Sequence, residues 1–261
     1  MPGPPNLAQY RLPATTQLHG SSTTLELGQD LLHLDFDARG HVAWRWQDGR
    51  SGTGSCDVVE VRPGTFFVAV DVDDPPTDGL TVLFAPDGAA LVVAQQRLTA
   101  AVSGVAVRNC YLPGRAAGSD AEAPAPTSDL LGRWQQVRYS DENLYEHIYL
   151  SSDRFCSHNL ATQNTAGRAD CHPVDYWRFA DGLYLIAWRE RGSGAAMIVV
   201  DDLAAMRSTG AVLHPATASH SVVVPIGGLL ETLRMPRDPA EVRARARVQG
   251  WEPGEGEATG K

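Results

Sequence analysis

The 261-residue sequence predicts an all-β protein made of two successive antiparallel sheets or barrels. Three observations carry the prediction. Apolar and polar residues alternate with a period of two along most of the chain, turn residues interrupt that alternation at short, even intervals, and one stretch of the layout recurs in the second half.

In chain order, the alternation predicts strands at Thr24–Leu27, Leu31–Phe36, His41–Trp46, Asp57–Arg62, Phe66–Val72, Leu80–Phe84 and Ala90–Gln95. Turns fall at Ala38-Arg39-Gly40, Asp48-Gly49, Pro63-Gly64, Pro75-Pro76 and Pro86-Asp87-Gly88, where glycine and proline supply the backbone angles that a reversal needs. Val42, Trp44 and Trp46 share a strand face and read as filling for a core or lumen. Gly49-Arg50-Ser51-Gly52-Thr53-Gly54 contains a GxG but opens no helix, so it reads as a connecting loop and not a phosphate cradle.

Residues 114–129 lack apolar periodicity and are rich in Ala, Pro and Gly. They separate a first unit at 20–112 from a second at 128–216, with a linker at 113–127. The repeat spans this gap. The run Asp57-Val58-Val59-Glu60-Val61-Arg62-Pro63-Gly64 matches Asp175-Tyr176-Trp177-Arg178-Phe179-Ala180-Asp181-Gly182 at a constant offset, and the match continues through Val70 and Trp188. In the extension at 217–261, Ser221–Ile226 reads as one more strand. Asp238-Pro239-Ala240-Glu241 then resembles the start of a helix running to Gln249, ahead of a disordered tail.

Composition excludes several functions. A net charge of −9 and a pI near 5.3 argue against a nucleic-acid surface, which needs clustered cations. No stretch approaches the roughly 20 apolar residues that cross a bilayer, and no basic region precedes an apolar run at the N-terminus, so a cytoplasmic protein without a membrane partner is expected. Cys56, Cys110, Cys156 and Cys171 form no CxxC pair and are expected to be reduced. Arginine supplies all basic residues except Lys261, a skew that suggests a GC-rich genome such as an actinobacterium's.

The candidate site lies in the second unit. Residues two apart on a strand share a face, so Tyr145, His147 and Tyr149 line one wall, as do Tyr184, Trp188 and Glu190 on a later strand. Tyr176 and His158 join them as ligand-binding candidates. A carboxylate in phase with aromatic rings could hold a proton near neutral pH, although Glu190 also fits a solvated charge between Arg189 and Arg191. Likewise, the Tyr145–Tyr149 strand fits a half-exposed edge. His147, His158, Cys171 and His172 lack metal-ligand spacing, so no metal is expected.

The segments Tyr145–Leu150 (YEHIYL), Gly167 with Ala169-Asp170-Cys171, Asp181–Glu190 (DGLYLIAWRE) and Val199–Gly210 (VVDDLAAMRSTG) resemble the C-terminal domain of the MoaF family. The first half is similar to the N-terminal domain of that family. The resemblance covers about residues 20–215 and implies two tandem lipocalin-like, calycin-type antiparallel β-barrels.

These readings lead to a functional expectation: a small hydrophobic or aromatic molecule bound in the C-terminal lumen, with no cofactor. The residue set suits a cyclase, isomerase, hydratase or decarboxylase of specialised metabolism. His147 would be the acid or base, Tyr149 with Tyr145 the orienting or polarising hydroxyls, Glu190 the carboxylate partner or a second base, and Tyr145, His158, Tyr176, Tyr184 and Trp188 the lining. The rivals are a non-catalytic carrier or sensor of a hydrophobic metabolite or molybdopterin intermediate, and a structural partner in a complex. Nothing in the sequence opposes a homo-oligomer.

Overall fold

Alternation on this scale leaves each strand with one apolar face, and closing a sheet on itself hides that face without leaving open edges. The chain does this twice. The structure, a computed structural model, describes residues 6–75, 78–102, 105–161, 166–190, 193–215 and 221–233, and every regular element among them is a strand. In the first barrel β1 (Ser22–Leu27), β2 (Asp30–Phe36), β3 (His41–Trp46), β4 (Ser51–Arg62), β5 (Thr65–Val72), β6 (Gly79–Phe84), β7 (Ala89–Val102) and β8 (Val105–Ala116) pair in sequence order. Pairing of β1 with β8 closes the ring.

The second barrel repeats this plan with β10 (Trp134–Arg138), β11 (Leu144–Ser151), β12 (Arg154–Ala161), β13 (Ala169–Ala180), β14 (Leu183–Arg189), β15 (Ala196–Asp202), β16 (Arg207–Pro215) and β17 (Ser221–Leu233). Its ring is closed by β10 against β17 and is continuous through β12–β13. The short β9 (Ala125–Pro126) adds to β13 beyond the point where β12 leaves it. Both barrels are thus eight-stranded, antiparallel and up-and-down, the lipocalin-like architecture.

Two expectations need correction. Strands of both barrels run past residues 112 and 216, because β8 continues to Ala116 and β17 is needed to close the second ring. Gly52 and Gly54 belong to β4 and not to a loop: Gly52 sits opposite Trp44, and a Cβ there would lie 2.2 Å from the indole. The helix expected at 238–249 and the tail lie outside the described residues. No helix among the described residues is long and apolar enough to cross a membrane.

The repeat holds in three dimensions. β4–β5 and β13–β14 are the fourth and fifth strands of their rings, and their turn glycines Gly64 and Gly182 share positive φ values of 71° and 63°. Val58, Phe66 and Val70 belong to the first lumen's core, and their counterparts Tyr176, Tyr184 and Trp188 to the second's.

The opposite faces of these same strands build a third core between the barrels. Val59, Phe67, Leu83 and Leu91 pack with Leu183, Leu185, Ile198 and Val200, all buried. Fully burying a side chain of this size contributes roughly 1.5–3 kcal/mol, so this seam is a major share of the stability. Arg62 adds a forked ion pair, its Nε and Nη2 each 2.7 Å from an oxygen of Asp202, and Nη1 donates to the Asp181 carbonyl at 2.8 Å. These hydrogen bonds, with amides from Ala205 and Ala204, hold the Asp202 carboxyl below its usual range. The N-terminal segment straps all three cores: Leu7 packs on the second lumen, Leu12 on the seam and Leu18 in the first lumen.

Candidate functional site

Register decides which side chains enter the second lumen. On β11, Tyr145, His147 and Tyr149 stand opposite Asn159, Ser157 and Phe155 of β12, while Glu146 and Ile148 stand opposite His158 and Cys156. Tyr149 and Phe155 belong to the lumen core, so the first set faces inward and the second outward. His158 therefore lies on the outer wall, where it pairs with the buried Glu146 at 3.2 Å, and it does not line the lumen as expected. His147 and His172 face inward while His158 and Cys171 face out, so these four do not converge.

The remaining aromatic candidates gather inside. His147 meets Phe155 edge-on at 4.8 Å and Trp188 at 5.7 Å, and Phe155 lies 5.1 Å from Trp188. Tyr149 contacts Tyr176 at 5.7 Å. Leu130, Leu203 and Met206 pack against this core at the end where β15 turns into β16. There Tyr184 donates to Asp129 at 3.4 Å and Tyr176 donates to the Arg154 carbonyl at 3.2 Å. At the opposite end Tyr145 and Met197 remain half-buried, and Tyr145 meets Tyr139 edge-on at 5.6 Å.

Glu190 sits at this second end and accepts a hydrogen bond from Ser193 at 2.6 Å. Its charge, after burial, helps raise the Tyr145 hydroxyl above its ordinary pKa. The charged neighbour that acts on His147 is His172, so the expected His147–Glu190 partnership is not the arrangement present. Burial, and then that second imidazole, lower the His147 pKa to about 3, which leaves it neutral near pH 7.

The group that sequence reasoning missed is Asp201. It follows Val199 by two residues on β15, so it points into the lumen, and it is 1% exposed. Burial raises its pKa to about 6, against the opposing hydrogen bonds from Ser208 and Tyr149. The Tyr149 hydroxyl lies 2.8 Å from Gln135 Oε1 and 3.3 Å from Asp201 Oδ2. One hydroxyl proton cannot satisfy two acceptors fully. When Asp201 is protonated the conflict ends, because the acid donates to Tyr149 and Tyr149 donates to Gln135. Asp201 Oδ1 and Gln135 Nε2 remain buried without a protein partner. The signal was present in the phase of Met197, Val199 and Asp201, but the Asp201-Asp202 pair before a turn reads as solvated.

Among the described residues, the first lumen holds no comparable group. Its buried core is Leu25, Leu32, Leu34, Val68, Val82, Phe84 and similar residues, and the buried polar side chains described in that barrel, Thr81 and Gln95, share the outward phase of Leu83 and Val93.

Comparison with known proteins agrees with this two-part organisation. The family model described as the MoaF N-terminal domain matches residues 6–103, and that of the MoaF C-terminal domain matches residues 124–235. A relative named Protein MoaF, from Klebsiella aerogenes, is 30% identical over 116 residues, which cover 44% of each chain. The match thus spans less than half of that relative's length. A crystal structure of a Burkholderia vietnamiensis protein described as a candidate β-lactamase is 21% identical, with a TM-score of 0.35, over 41% of this chain and 97% of its own.

Proposed function

The chain belongs to the MoaF family, and we propose that its second lumen takes up a small, largely apolar organic molecule and moves a proton on it without a cofactor. The reaction would be of the cyclase, isomerase, hydratase or decarboxylase type. One observation carries this reading: a carboxyl with a pKa near 6 is held inside an aromatic lumen, in hydrogen-bond contact with a tyrosine, in one barrel and, among the described residues, not in its repeat. A carboxyl that titrates near operating pH is suited to general acid–base work.

In this reading the acid–base role moves from His147 to Asp201. A neutral imidazole with a pKa of about 3 is a weak base, but it can still hydrogen-bond a ligand. Tyr149 relays or orients the proton, and Trp188, Phe155 and Tyr176 supply flat apolar surface. Glu190 and Tyr145 stand where a ligand would enter. The burial of His147, Tyr149 and Asp201 favours the carrier reading if the ligand never reaches the carboxyl.

Two measurements separate these readings. Wild-type protein should bind the fluorescent probe 8-anilinonaphthalene-1-sulfonate and catalyse solvent-deuterium incorporation into members of a panel of enolisable aromatic ketones. Asp201→Asn should keep the binding and lose the exchange. Probe binding with no exchange by wild type would establish a carrier, and the absence of both would sink the lumen reading.

A further inference from the structure

Of the four cysteines, two face each other. Cys156 on β12 stands directly opposite Cys171 on β13, on the outer wall of the second barrel, whereas Cys56 stands opposite Val70 and Cys110 opposite Ala94. The kind of pair they form follows from the flanking hydrogen bonds. Val174 N donates to Asp153 O and Asn159 N donates to Arg168 O, both in the same register as the cysteine pair. Hydrogen-bonded positions recur every two residues, so on β12 they are the odd-numbered ones, and Cys156–Cys171 is a non-hydrogen-bonded pair. Pro173, which has no N–H to donate, sits opposite Arg154 at another such position.

At non-hydrogen-bonded positions the Cα atoms approach to about 4.5 Å and the side chains converge, which lies inside the range a disulfide spans. The two thiols already interact. Burial first, and then a hydrogen bond to Cys171, raise the Cys156 pKa to about 11. Cys171 is exposed and Cys156 half-buried, so a reagent meets Cys171 first.

We infer that Cys156 and Cys171 are a redox-convertible dithiol that mild oxidation by a small-molecule disulfide joins into an intrachain bridge across β12 and β13. The Cys171 thiolate attacks the reagent disulfide and expels one thiolate, leaving a mixed disulfide on Cys171. The Cys156 thiolate then attacks the Cys171 sulfur and expels the second. Two protein thiols lose two protons and two electrons, and one reagent disulfide becomes two thiols. The bridge ties the second ring at the pairing that carries Phe155 and His172 on its inner side. Because so little of Cys156 is thiolate at neutral pH, closure is slow there and accelerates as pH rises.

The test uses the full chain, treated with oxidised glutathione across a pH series, blocked with iodoacetamide and digested with trypsin without reductant. Cleavage after Arg154, Arg168 and Arg178 puts the two cysteines on separate peptides, 155–168 and 169–178. The expected product is these peptides joined, two hydrogens lighter than their sum, with Cys56 and Cys110 alkylated and the link broken by dithiothreitol. Cys156→Ser should instead retain glutathione on Cys171. Stable glutathione on Cys171 in the wild type at every pH, or a link to Cys56 or Cys110, would overturn the inference.

Discussion

The two barrels share strand number, pairing order and turn glycines, yet one lumen is filled and the other is chemically furnished. Where the first has Val58, Phe66 and Val70, the second has Tyr176, Tyr184 and Trp188, and it adds Asp201, His147 and Gln135. The outer faces did not diverge in this way: Val59 with Trp177, Phe67 with Leu185 and Ala69 with Ala187 meet in one apolar seam. A buried polar group is tolerated only where hydrogen bonds or neutralisation offset its desolvation. The difference therefore points to a division of labour: the first barrel and the seam supply packing, and the second lumen carries groups that packing alone does not require.

The largest expected effect comes from breaking the seam. Phe67 is fully buried on the first barrel's outer face, and Phe67→Ala should cost about 3–5 kcal/mol through lost transfer energy and a residual cavity. If the seam couples the barrels, a probe in each should report one shifted transition in denaturant. Near-ultraviolet signals from Trp46 and Trp188 can be separated with Trp→Phe variants. An unmoved second-barrel transition would mean that the barrels unfold independently.

The pH dependence comes next, and its sign differs for the two buried groups. Asp201 has a folded pKa raised to about 6, so its contribution to stability is fully present below the unfolded value near 4 and is lost as pH rises through 6. His147 has a folded pKa depressed to about 3, so its contribution is present above the unfolded value near 6.5 and is lost as pH falls toward 3. Between about pH 4 and 6 the two slopes oppose each other. Thermal midpoints of the wild type should therefore change little from these groups in that window. Asp201→Asn should expose a stability that falls on acidification, by about 5 kcal/mol across the His147 window, and His147→Gln one that falls on alkalinisation, by about 3 kcal/mol across the Asp201 window. Parallel pH curves for the two variants would refute the opposed assignment. Among the described residues the first lumen holds no buried carboxyl or imidazole, so a Val70→Ala control should shift the whole curve without changing its shape.

Much of this contrast was legible in residue phase. The constant offset between Asp57 and Asp175 aligned strands that do occupy equal places in the two rings, and the alternation of Tyr145, His147 and Tyr149 grouped three residues that do share one wall. What phase cannot supply is the sign of a face. His158 was placed with the lining residues, but only the register of β12 against β11 shows that it points outward. Glycine was misread for a related reason: Gly52 marks the space taken by a cross-strand indole, which local turn chemistry does not reveal. Asp201 was missed because a carboxyl beside another carboxyl before a turn looks solvated. Yet Asp202 turns to Arg62 at the seam while Asp201 turns inward, since adjacent residues on a strand face opposite ways.

A smaller effect distinguishes positions within the second lumen. Tyr149→Phe removes a buried hydroxyl placed between Gln135 and Asp201, and it should cost on the order of 1–2 kcal/mol while raising the Asp201 pKa further, because a hydrogen bond to the ionised form is lost. Tyr184→Phe converts the position to its first-barrel counterpart, Phe66, and gives up only a 3.4 Å contact with Asp129, so it should cost less than about 1 kcal/mol. Carboxyl titration by carbon NMR and denaturant midpoints measure both. Equal costs would mean that the hydroxyl network contributes nothing beyond ring packing.

The smallest effect lies at the end of the same lumen that holds Glu190 and Tyr145. Glu190 is half-buried, is hydrogen-bonded by Ser193, and adds its charge to the burial that raises the Tyr145 pKa. Glu190→Gln keeps the shape and removes the charge, so folding stability should stay within about 0.5 kcal/mol. The Tyr145 pKa, followed by NMR of a ring-labelled sample, should move down toward its ordinary value without reaching it, since burial is the larger cause and survives the substitution. The same substitution should leave the pH profile set by Asp201 and His147 unchanged, because neither has Glu190 among the charges that shift it. A displaced Asp201 titration in Glu190→Gln would show that the Glu190 end and the Asp201 end of the lumen form one electrostatic unit, and the separation of the two ends would have to be abandoned.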